Sequence, residues 1–296
     1  MGFDIYAAIT DRIIEELDKG VIPWDKFWTG TSDGAISYAT GKAYSVLNQM
    51  LLGKPGEYLT FKQITERNGK IKKGAKARMV VFWKWIQKEP ELVFDDKGNA
   101  SVKVERIPFL CYYNVFHIDD TEGIDPKHTK EVPLNEFEPV EEAQKVLEGY
   151  WNREGIKVEH VKHSDRAFYR PSADMIHLPE MGQFKSPEAY YDTAFHESVH
   201  STGHAKRLNR LQTGTASAAF GGEEYSKEEL VAEIGACAIM HELGLETDKT
   251  FRNTAAYIQS WLKVLRDDKR MIVSAAGRAE KAVNMIFGRA QTVETN

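Results

Sequence analysis

Apolar residues recur at helical spacing near the start of the chain and at alternating positions further on. An amphipathic helix is predicted over residues 4–19, with an apolar stripe formed by Ile5, Ile9, Ile13 and Leu17. Runs rich in valine, isoleucine and aromatic residues then predict β-strands at 78–86, 92–94, 102–107 and 109–118. Asp-Asp-Lys-Gly-Asn at 95–99 is typical of a hairpin turn. The first part of the chain is therefore predicted to be α+β.

A polar stretch rich in aspartate and proline begins at residue 119 and interrupts this pattern. We place a domain boundary near residue 136, which predicts an N-terminal domain at 1–135 and a second domain at 136–296. In the second domain the pattern predicts a helix, two strands and further helices, at 141–151, 156–161, 173–178, 254–266 and 274–287. Two further helices are predicted between the strand at 173–178 and the helix at 254–266. They carry the motifs described below. This layout is typical of a small metallohydrolase domain, and the whole chain is predicted to be α+β.

Composition excludes several classes of protein. The chain has 296 residues, of which 42% are hydrophobic, so it can form a sizeable core, and no apolar run approaches membrane-spanning length. Cys111 and Cys237 lie far apart in apolar surroundings, which argues against a disulfide framework and against a cysteine metal cluster. The N-terminal residues show no basic segment or cleavage signal, so we expect a cytoplasmic protein with no membrane partner.

The segment His196-Glu197-Ser198-Val199-His200 is the most informative motif of the chain. On a helix, H-E-x-x-H places two imidazoles one turn apart with a carboxylate beside them, as a bound divalent metal and an activated water require. Ser186 and Pro187 read as a helix start, and Gly203 as a helix end. In the alternative interpretation, both histidines are core residues that bond to the backbone. The H-E-x-x-H spacing would then be a coincidence.

A catalytic zinc site needs three protein ligands and one open position, so a third donor must come from elsewhere. The predicted helix over 226–236 places Glu229 and Glu233 one turn apart on one face. We assign Glu229 as the third ligand and Glu233 as the carboxylate that orients a ligand histidine. Two alternatives stay open: Ser226 and Glu229 also match a capping box, and Glu233 can exchange roles with Glu229.

Other histidines compete less well as ligands. His204 follows the predicted helix end, and the longer histidine motif of metzincins would need a histidine where Lys206 stands. His177 lies in a strand-like run, and His241 ends an apolar helix, where its charge complements the helix dipole.

These residues predict hydrolysis of an amide bond. The expected cofactor is Zn²⁺, which suits histidine and carboxylate donors, although such a site also accepts Mn²⁺. Glu197 is the candidate general base and acid. The strand predicted at 173–178 is a candidate sheet edge for an extended peptide, and Tyr225 and His204 are candidates to stabilise the oxyanion.

Positive charge is concentrated in one segment. Residues 54–88 hold ten lysines and arginines and two glutamates, in a chain whose formal net charge is −5. Aromatic residues are interleaved with these cations. A surface that binds single-stranded nucleic acid requires both positive charge and rings on which bases stack. The alternative is a buried aromatic sheet face with solvated lysines. The candidate nucleic-acid contacts are Lys70, Lys72, Lys73, Lys76 and Arg78.

Over nearly its whole length the chain resembles the ArdC-type antirestriction proteins of conjugative plasmids. The matching segments are 20–24, 58–63, 69–78, 80–84, 196–204 and 228–236. The resemblance implies an N-terminal domain that binds single-stranded DNA, followed by a zincin-like metallopeptidase domain. It also implies protection of incoming plasmid DNA from host restriction, metal ligands at His196, His200 and Glu229, and a catalytic carboxylate at Glu197.

Two hypotheses of different class follow. In the first, the protein is a metal-dependent peptidase that binds DNA and cleaves a host protein, such as a restriction component. In the second, it covers single strands or occludes the nuclease, and the metal domain is structural or vestigial. Replacement of Glu197 separates the two hypotheses, because only the first requires that carboxylate.

Overall fold

The protein is described here as a computed structural model covering residues 3–19, 22–23, 34–94, 100–128, 139–162, 164, 166–211, 223–245 and 255–290. The predicted turn at 95–99 and the predicted domain boundary at residue 136 lie outside the described residues. The fold combines helices with four small β-sheets, as the α+β prediction required. The predicted division into two domains stays a prediction.

In the described part of the chain, the first half contains three α-helices and eight strands. Helix α1 begins after Asp4, whose side chain accepts a hydrogen bond from the Ala7 amide at 3.1 Å and so caps the helix. The elements in chain order are α1 (Ile5–Asp18), β1 (Ala35–Ser37), α2 (Val46–Leu52), β2 (Gly56–Thr60), α3 (Phe61–Thr65), β3 (Lys70–Ile71), β4 (Arg78–Gln87), β5 (Glu91–Phe94), β6 (Ala100–Lys103), β7 (Arg106–His117) and β8 (Thr121–Glu122).

A four-stranded sheet with the order β1-β2-β7-β4 organises this half. Strand β7 pairs antiparallel with β4 along the whole of β4, from Arg78 opposite Val115 to Gln87 opposite Arg106. The prediction that one strand ends at 107 and another begins at 109 was therefore wrong. Strand β2 pairs with β7 only at its residues 115–117, so near Pro108 that side of β7 is a sheet edge among the described strands. An edge position tolerates proline, which explains why Pro108 lies inside β7.

Among the described residues, the second half contains five α-helices and a three-stranded sheet. Its elements are α4 (Pro139–Glu154), β9 (Lys157–Val161), β10 (Phe168–Arg170), β11 (Met175–Pro179), α5 (Pro187–Thr202), α6 (Glu223–Glu242), α7 (Ala255–Asp267) and α8 (Met271–Ile286). The sheet order is β10-β11-β9, so β11 is the central strand and the edge strand predicted at 173–178 was wrong. Any peptide added to this sheet must pair with β10 or β9.

Helix α8 joins the two halves. It packs against α6, α5 and α4 and also against α1 and α2, and one hydrophobic cluster runs from Ile9 and Ile13 to Ala276 and Ile286. At the same junction, the hydroxyl of the buried Thr10 donates to the backbone carbonyl of Lys269 at 2.6 Å. The nucleic-acid candidate surface and the metal-site candidate helices are thus parts of one packed body.

No helix in the described part of the chain is both long enough and apolar enough to cross a membrane.

Candidate metal centre and basic surface

Helix α5 presents the H-E-x-x-H motif from a largely buried position. It begins as predicted, since the Ser186 hydroxyl accepts a hydrogen bond from the Ala189 amide at 3.2 Å and Pro187 follows at the first helical position. Helix α6 approaches α5 closely at Gly235, where a Cβ atom would lie only 2.9 Å from Cγ2 of Val199. This close approach lets side chains of both helices meet around one point.

The two motif histidines and Glu229 meet there. The Nε2 atoms of His196 and His200 are 3.1 Å apart, and the Glu229 carboxylate oxygens lie 3.4 Å and 3.3 Å from them, respectively. Donors about 2.0–2.1 Å from a tetrahedral metal lie roughly 3.3 Å from one another, so this spacing fits one shared divalent cation. Among the described residues, these three form a group with metal-ligand geometry.

A second layer of carboxylates faces the other ring nitrogens. Oε1 of Glu233 lies 3.4 Å from Nδ1 of His196, and Oε1 of Glu228 lies 3.5 Å from Nδ1 of His200. Such partners fix the tautomer of a ligand histidine, so that Nε2 carries the lone pair that faces the metal. The position of Glu233 fits its predicted orienting role.

Glu228 was not predicted from the sequence, because the i,i+4 spacing that puts Glu229 and Glu233 on one helix face does not include it. Its carboxylate is held by Arg210, which donates to it from Nε at 3.2 Å and from a terminal nitrogen at 2.8 Å. Arg210 also donates to the Val199 carbonyl at 2.8 Å. One arginine therefore ties the loop after α5 to both motif helices, and no short-range pattern reveals it.

Helix α6 already begins at Glu223, so Ser226 lies inside the helix and is not its N-cap. The capping-box alternative for Glu229 is therefore wrong, and the Glu229 side chain points towards the histidines. Glu197 is also buried, and its charge contributes to the raised pKa of His200. The four site residues predicted from the sequence thus lie together, namely His196, Glu197, His200 and Glu229.

The electrostatics of the metal-free site follow from this assembly. Burial by itself lowers the pKa of each histidine, but the surrounding carboxylates outweigh it, so that the pKa of His196 is raised and that of His200 is raised well above 6.5. Burial by itself raises the pKa of Glu229, but the two histidines hold it far below 4.5, and the pKa of Glu228 is also lowered. Protons on the histidines balance the buried carboxylates.

We expect the metal-free protein to be most stable between about pH 4.5 and 6.5. The raised pKa of His200 contributes stability that is complete below 6.5 and is lost as the pH rises through the folded-state pKa. The lowered pKa of Glu229 contributes stability that is complete above 4.5 and is lost as the pH falls. Melting temperatures measured with a chelator present across this range test the expectation. A melting temperature that keeps rising above pH 6.5 would contradict it.

Glu228→Gln is expected to weaken metal binding by about 10–100-fold, because His200 loses the carboxylate that orients it. Competition with a chromophoric chelator measures this affinity. Glu242→Gln is the matched control, since Glu242 is exposed on the same helix and pairs with Arg289. Equal affinities for the two variants would remove the orienting role of Glu228.

The competing histidines lie elsewhere. Nε2 of His177 is 2.9 Å from the Ser164 hydroxyl, and its ring stacks on Phe168 with 4.7 Å between the ring centroids. His204 faces Asp174, with Nδ1 3.9 Å from the carboxylate. His241 lies in the last turn of α6, as predicted.

The two oxyanion candidates stay predictions. Asp174 holds His204 near Arg207 and Tyr169, both of which donate to the Asp174 carboxylate. The side chain of Tyr225 lies outside the described residues.

The predicted basic contacts lie on one side of the first half. Lys70, Lys72, Lys73 and Lys76 are exposed along β3 and the turn that leads into β4, although Nζ of Lys72 donates to the Asp119 carbonyl at 2.8 Å. Arg78 differs from them because it is half-buried and donates to the Leu52 carbonyl. Its geometry supports a structural role more than a contact to phosphate.

The aromatic residues of β4 divide between core and surface. Val81 is buried and Trp83 is half-buried against the main hydrophobic cluster, so the buried-face alternative is correct for that part of the strand. Further along the same face, Trp85 is 45% exposed. On the opposite face, the rings of Phe82 and Tyr113 lie 5.6 Å apart at the surface.

Comparisons with known proteins agree with both halves of this description. Residues 145–278 match the family model described as zincin-like metallopeptidase, and residues 3–116 match that of the N-terminal domain of anti-restriction factor ArdC. The DNA primase TraC of Escherichia coli is 35% identical over 95% of this chain, which spans 27% of the length of that primase.

Two crystal structures of the antirestriction ArdC protein from plasmid R388 resemble this fold. The metal-free one is 32% identical with a TM-score of 0.71, covering 96% of this chain and 97% of the other. The Mn(II)-bound one is 31% identical with a TM-score of 0.73, covering 99% of this chain and all (100%) of the other. Fold and site together define a zincin-like metallopeptidase domain behind an ArdC-type N-terminal domain. The chain belongs to the ArdC family of antirestriction proteins.

Proposed function

We propose that this protein binds single-stranded DNA and uses a metal-dependent peptidase site to protect incoming plasmid DNA from host restriction during conjugation. It acts in the cytoplasm, where that DNA enters, and its protein target is a component of the host restriction system. The convergence of His196, His200 and Glu229 beside Glu197 carries the proposal, because a protein that only coats DNA does not require these donors.

The residues present fit a divalent metal. His196, His200 and Glu229 would hold it, and Glu228 and Glu233 would orient the two imidazoles. Two nitrogen donors and one carboxylate suit Zn²⁺, and the R388 relative shows that an ArdC structure also contains Mn(II). A bound cation would polarise the scissile carbonyl and lower the pKa of a water molecule.

Glu197 performs the proton transfer in this proposal. Its carboxylate is buried beside His200, where it takes a proton from the attacking water and passes it to the departing amine. An extended substrate would pair with an edge of the β10-β11-β9 sheet, and β10 is the edge strand that also packs against α5.

The N-terminal half supports DNA binding. The exposed lysines at 70, 72, 73 and 76 supply the charge that phosphates require, and exposed rings on β4 and β7 supply stacking surfaces. A second candidate function rests on the same observation: the protein occludes DNA without cleaving anything, and the metal centre only stabilises the fold. Similarity to TraC, a protein named as a DNA primase, favours DNA as the ligand in both cases.

Changing Lys70, Lys72, Lys73 and Lys76 together to glutamate is expected to lower affinity for single-stranded DNA steeply at low salt. Each lost phosphate contact reduces the slope of log affinity against log salt by about 0.7. Arg78→Ala is expected to leave this slope unchanged, because Arg78 bonds to the Leu52 carbonyl. Fluorescence anisotropy of labelled oligothymidylate over a range of salt concentrations measures both effects.

The matched control reverses four exposed lysines of the second half, namely Lys145, Lys157, Lys162 and Lys185. It changes the net charge by the same amount, so it separates a local contact from a general electrostatic effect. Equal losses in both quadruple variants would remove the basic loop as the DNA contact. Lack of oligothymidylate binding by the unaltered protein would overturn DNA binding itself.

A further inference from the structure

A cavity of about 530 Å³ lies at the junction between the two halves, away from the donors of the metal centre. It is bounded by Tyr6 on α1, Trp83 on β4, Lys227 on α6 and residues at the start of α8 and just before it. Its size falls within the range of ordinary ligand sites, roughly 300–1,000 Å³.

The lining combines positive charge with aromatic rings. Lys227, Arg270 and Arg278 supply three cations against one carboxylate, that of Asp268. The Arg270 guanidinium lies over the Tyr6 ring, 4.9 Å from its centroid, so one ring and one cation of the lining are held together. Cations beside aromatic faces suit a ligand that carries both a phosphate and a planar base.

The cavity continues the aromatic face of β4. Trp83 borders it, and Trp85 lies two residues further on the same face of the strand at 45% exposure. Opposite that end of β4, Gln87 pairs with Arg106, which is exposed. A strand of nucleic acid lying along this face would pass from Arg106 over Trp85 and Trp83 towards Arg270.

We propose that this cavity binds a nucleotide unit of single-stranded DNA, with the base against Trp83 and the phosphate between Arg270 and Arg278. The inference rests on the proposed DNA-binding function and names a part of the binding path that the basic loop at 70–76 does not include. An acidic peptide would satisfy the cations but would leave the two rings without a matching face, so nucleic acid is the better fit.

The cavity also borders α6, the helix that carries Glu229. Lys227 immediately precedes Glu228 and Glu229 on α6, so a ligand held by Lys227 contacts the helix that supplies one metal donor and both orienting carboxylates. DNA in the cavity would therefore contact the helix that carries Glu229 without reaching the metal donors themselves.

The test is the double variant Arg270→Glu, Arg278→Glu in the full chain, titrated with labelled oligothymidylate. Both arginine contacts to that phosphate are lost, so affinity should fall by about tenfold or more and the salt slope by roughly 0.7. Arg278→Glu alone, at an exposed position, covers the case in which Arg270→Glu loosens the packing against Tyr6, and should give about half of the slope change. Circular-dichroism melting confirms that each variant is folded.

The matched control is Lys263→Glu, Lys281→Glu, which reverses two exposed cations of α7 and α8 that do not border the cavity. Affinity equal to that of the unaltered protein in the Arg270 and Arg278 variants, with loss in the basic-loop variant, would overturn the cavity proposal and leave DNA binding intact. If the unaltered protein does not bind oligothymidylate, the proposed function fails first. Binding of labelled oligoglutamate that is lost in the Arg270 and Arg278 variants, with unchanged affinity for oligothymidylate, would assign the cavity to an acidic peptide instead.

Discussion

Glu197→Gln is expected to abolish protection of an incoming plasmid in a restriction-proficient recipient, while binding of metal and of single-stranded DNA persists. Glutamine keeps the shape of the side chain but cannot accept the proton of the attacking water. General acid and base catalysis contributes roughly 10²–10⁴-fold in rate, and a peptidase slowed by that factor would not act before the entering DNA is cut. Transfer frequencies into isogenic recipients with and without the restriction system measure the effect.

Glu188→Gln is the matched control, because Glu188 lies in the first turn of the same helix, about two turns before His196. It removes the same charge and leaves the motif intact. Protection equal to that of the unaltered protein by Glu197→Gln would contradict the peptidase hypothesis. It would favour occlusion of the DNA, with the metal centre as a structural element.

Glu229→Gln is expected to weaken metal binding by more than the roughly 10–100-fold that loss of an orienting partner such as Glu228 causes. The amide is a poorer donor than the carboxylate, and the site loses a buried negative charge that compensates the cation. The metal-free site changes too, since Glu229 raises the pKa of both histidines. Their pKa values should fall, and the stability maximum between pH 4.5 and 6.5 should flatten.

Calorimetric titration with Zn²⁺ and Mn²⁺ measures the affinity, and pH-dependent melting of the metal-free variant measures the second effect. Glu242→Gln again serves as the control on α6. If Glu229→Gln binds metal as tightly as the unaltered protein and Glu233→Gln does not, then Glu233 is the ligand and the two carboxylates exchange their proposed roles.

Periodicity predicted the long elements well. The helix predicted at 4–19 is observed at Ile5–Asp18, and the last two helices, predicted at 254–266 and 274–287, are observed at Ala255–Asp267 and Met271–Ile286. Their apolar stripes face a core, so the sequence pattern and the packing agree. The pattern did not predict the short elements β1, α2, β2 and α3, because runs of three to seven residues contain too few repeats to define a period.

The sequence by itself determined the motif helix and the candidate donors that it carries, because the spacing of His196, Glu197 and His200 and the capping residues before them are local properties. It also determined where positive charge is concentrated. Only the tertiary structure decided that Glu229 faces the histidines, that Glu228 lies beside His200 and that Arg78 bonds to the Leu52 carbonyl, since these contacts depend on how α2, α5, α6 and β4 pack. The cavity between α1, β4, α6 and α8 is likewise a product of packing, because its lining residues are scattered from residue 6 to residue 278 and share no local pattern.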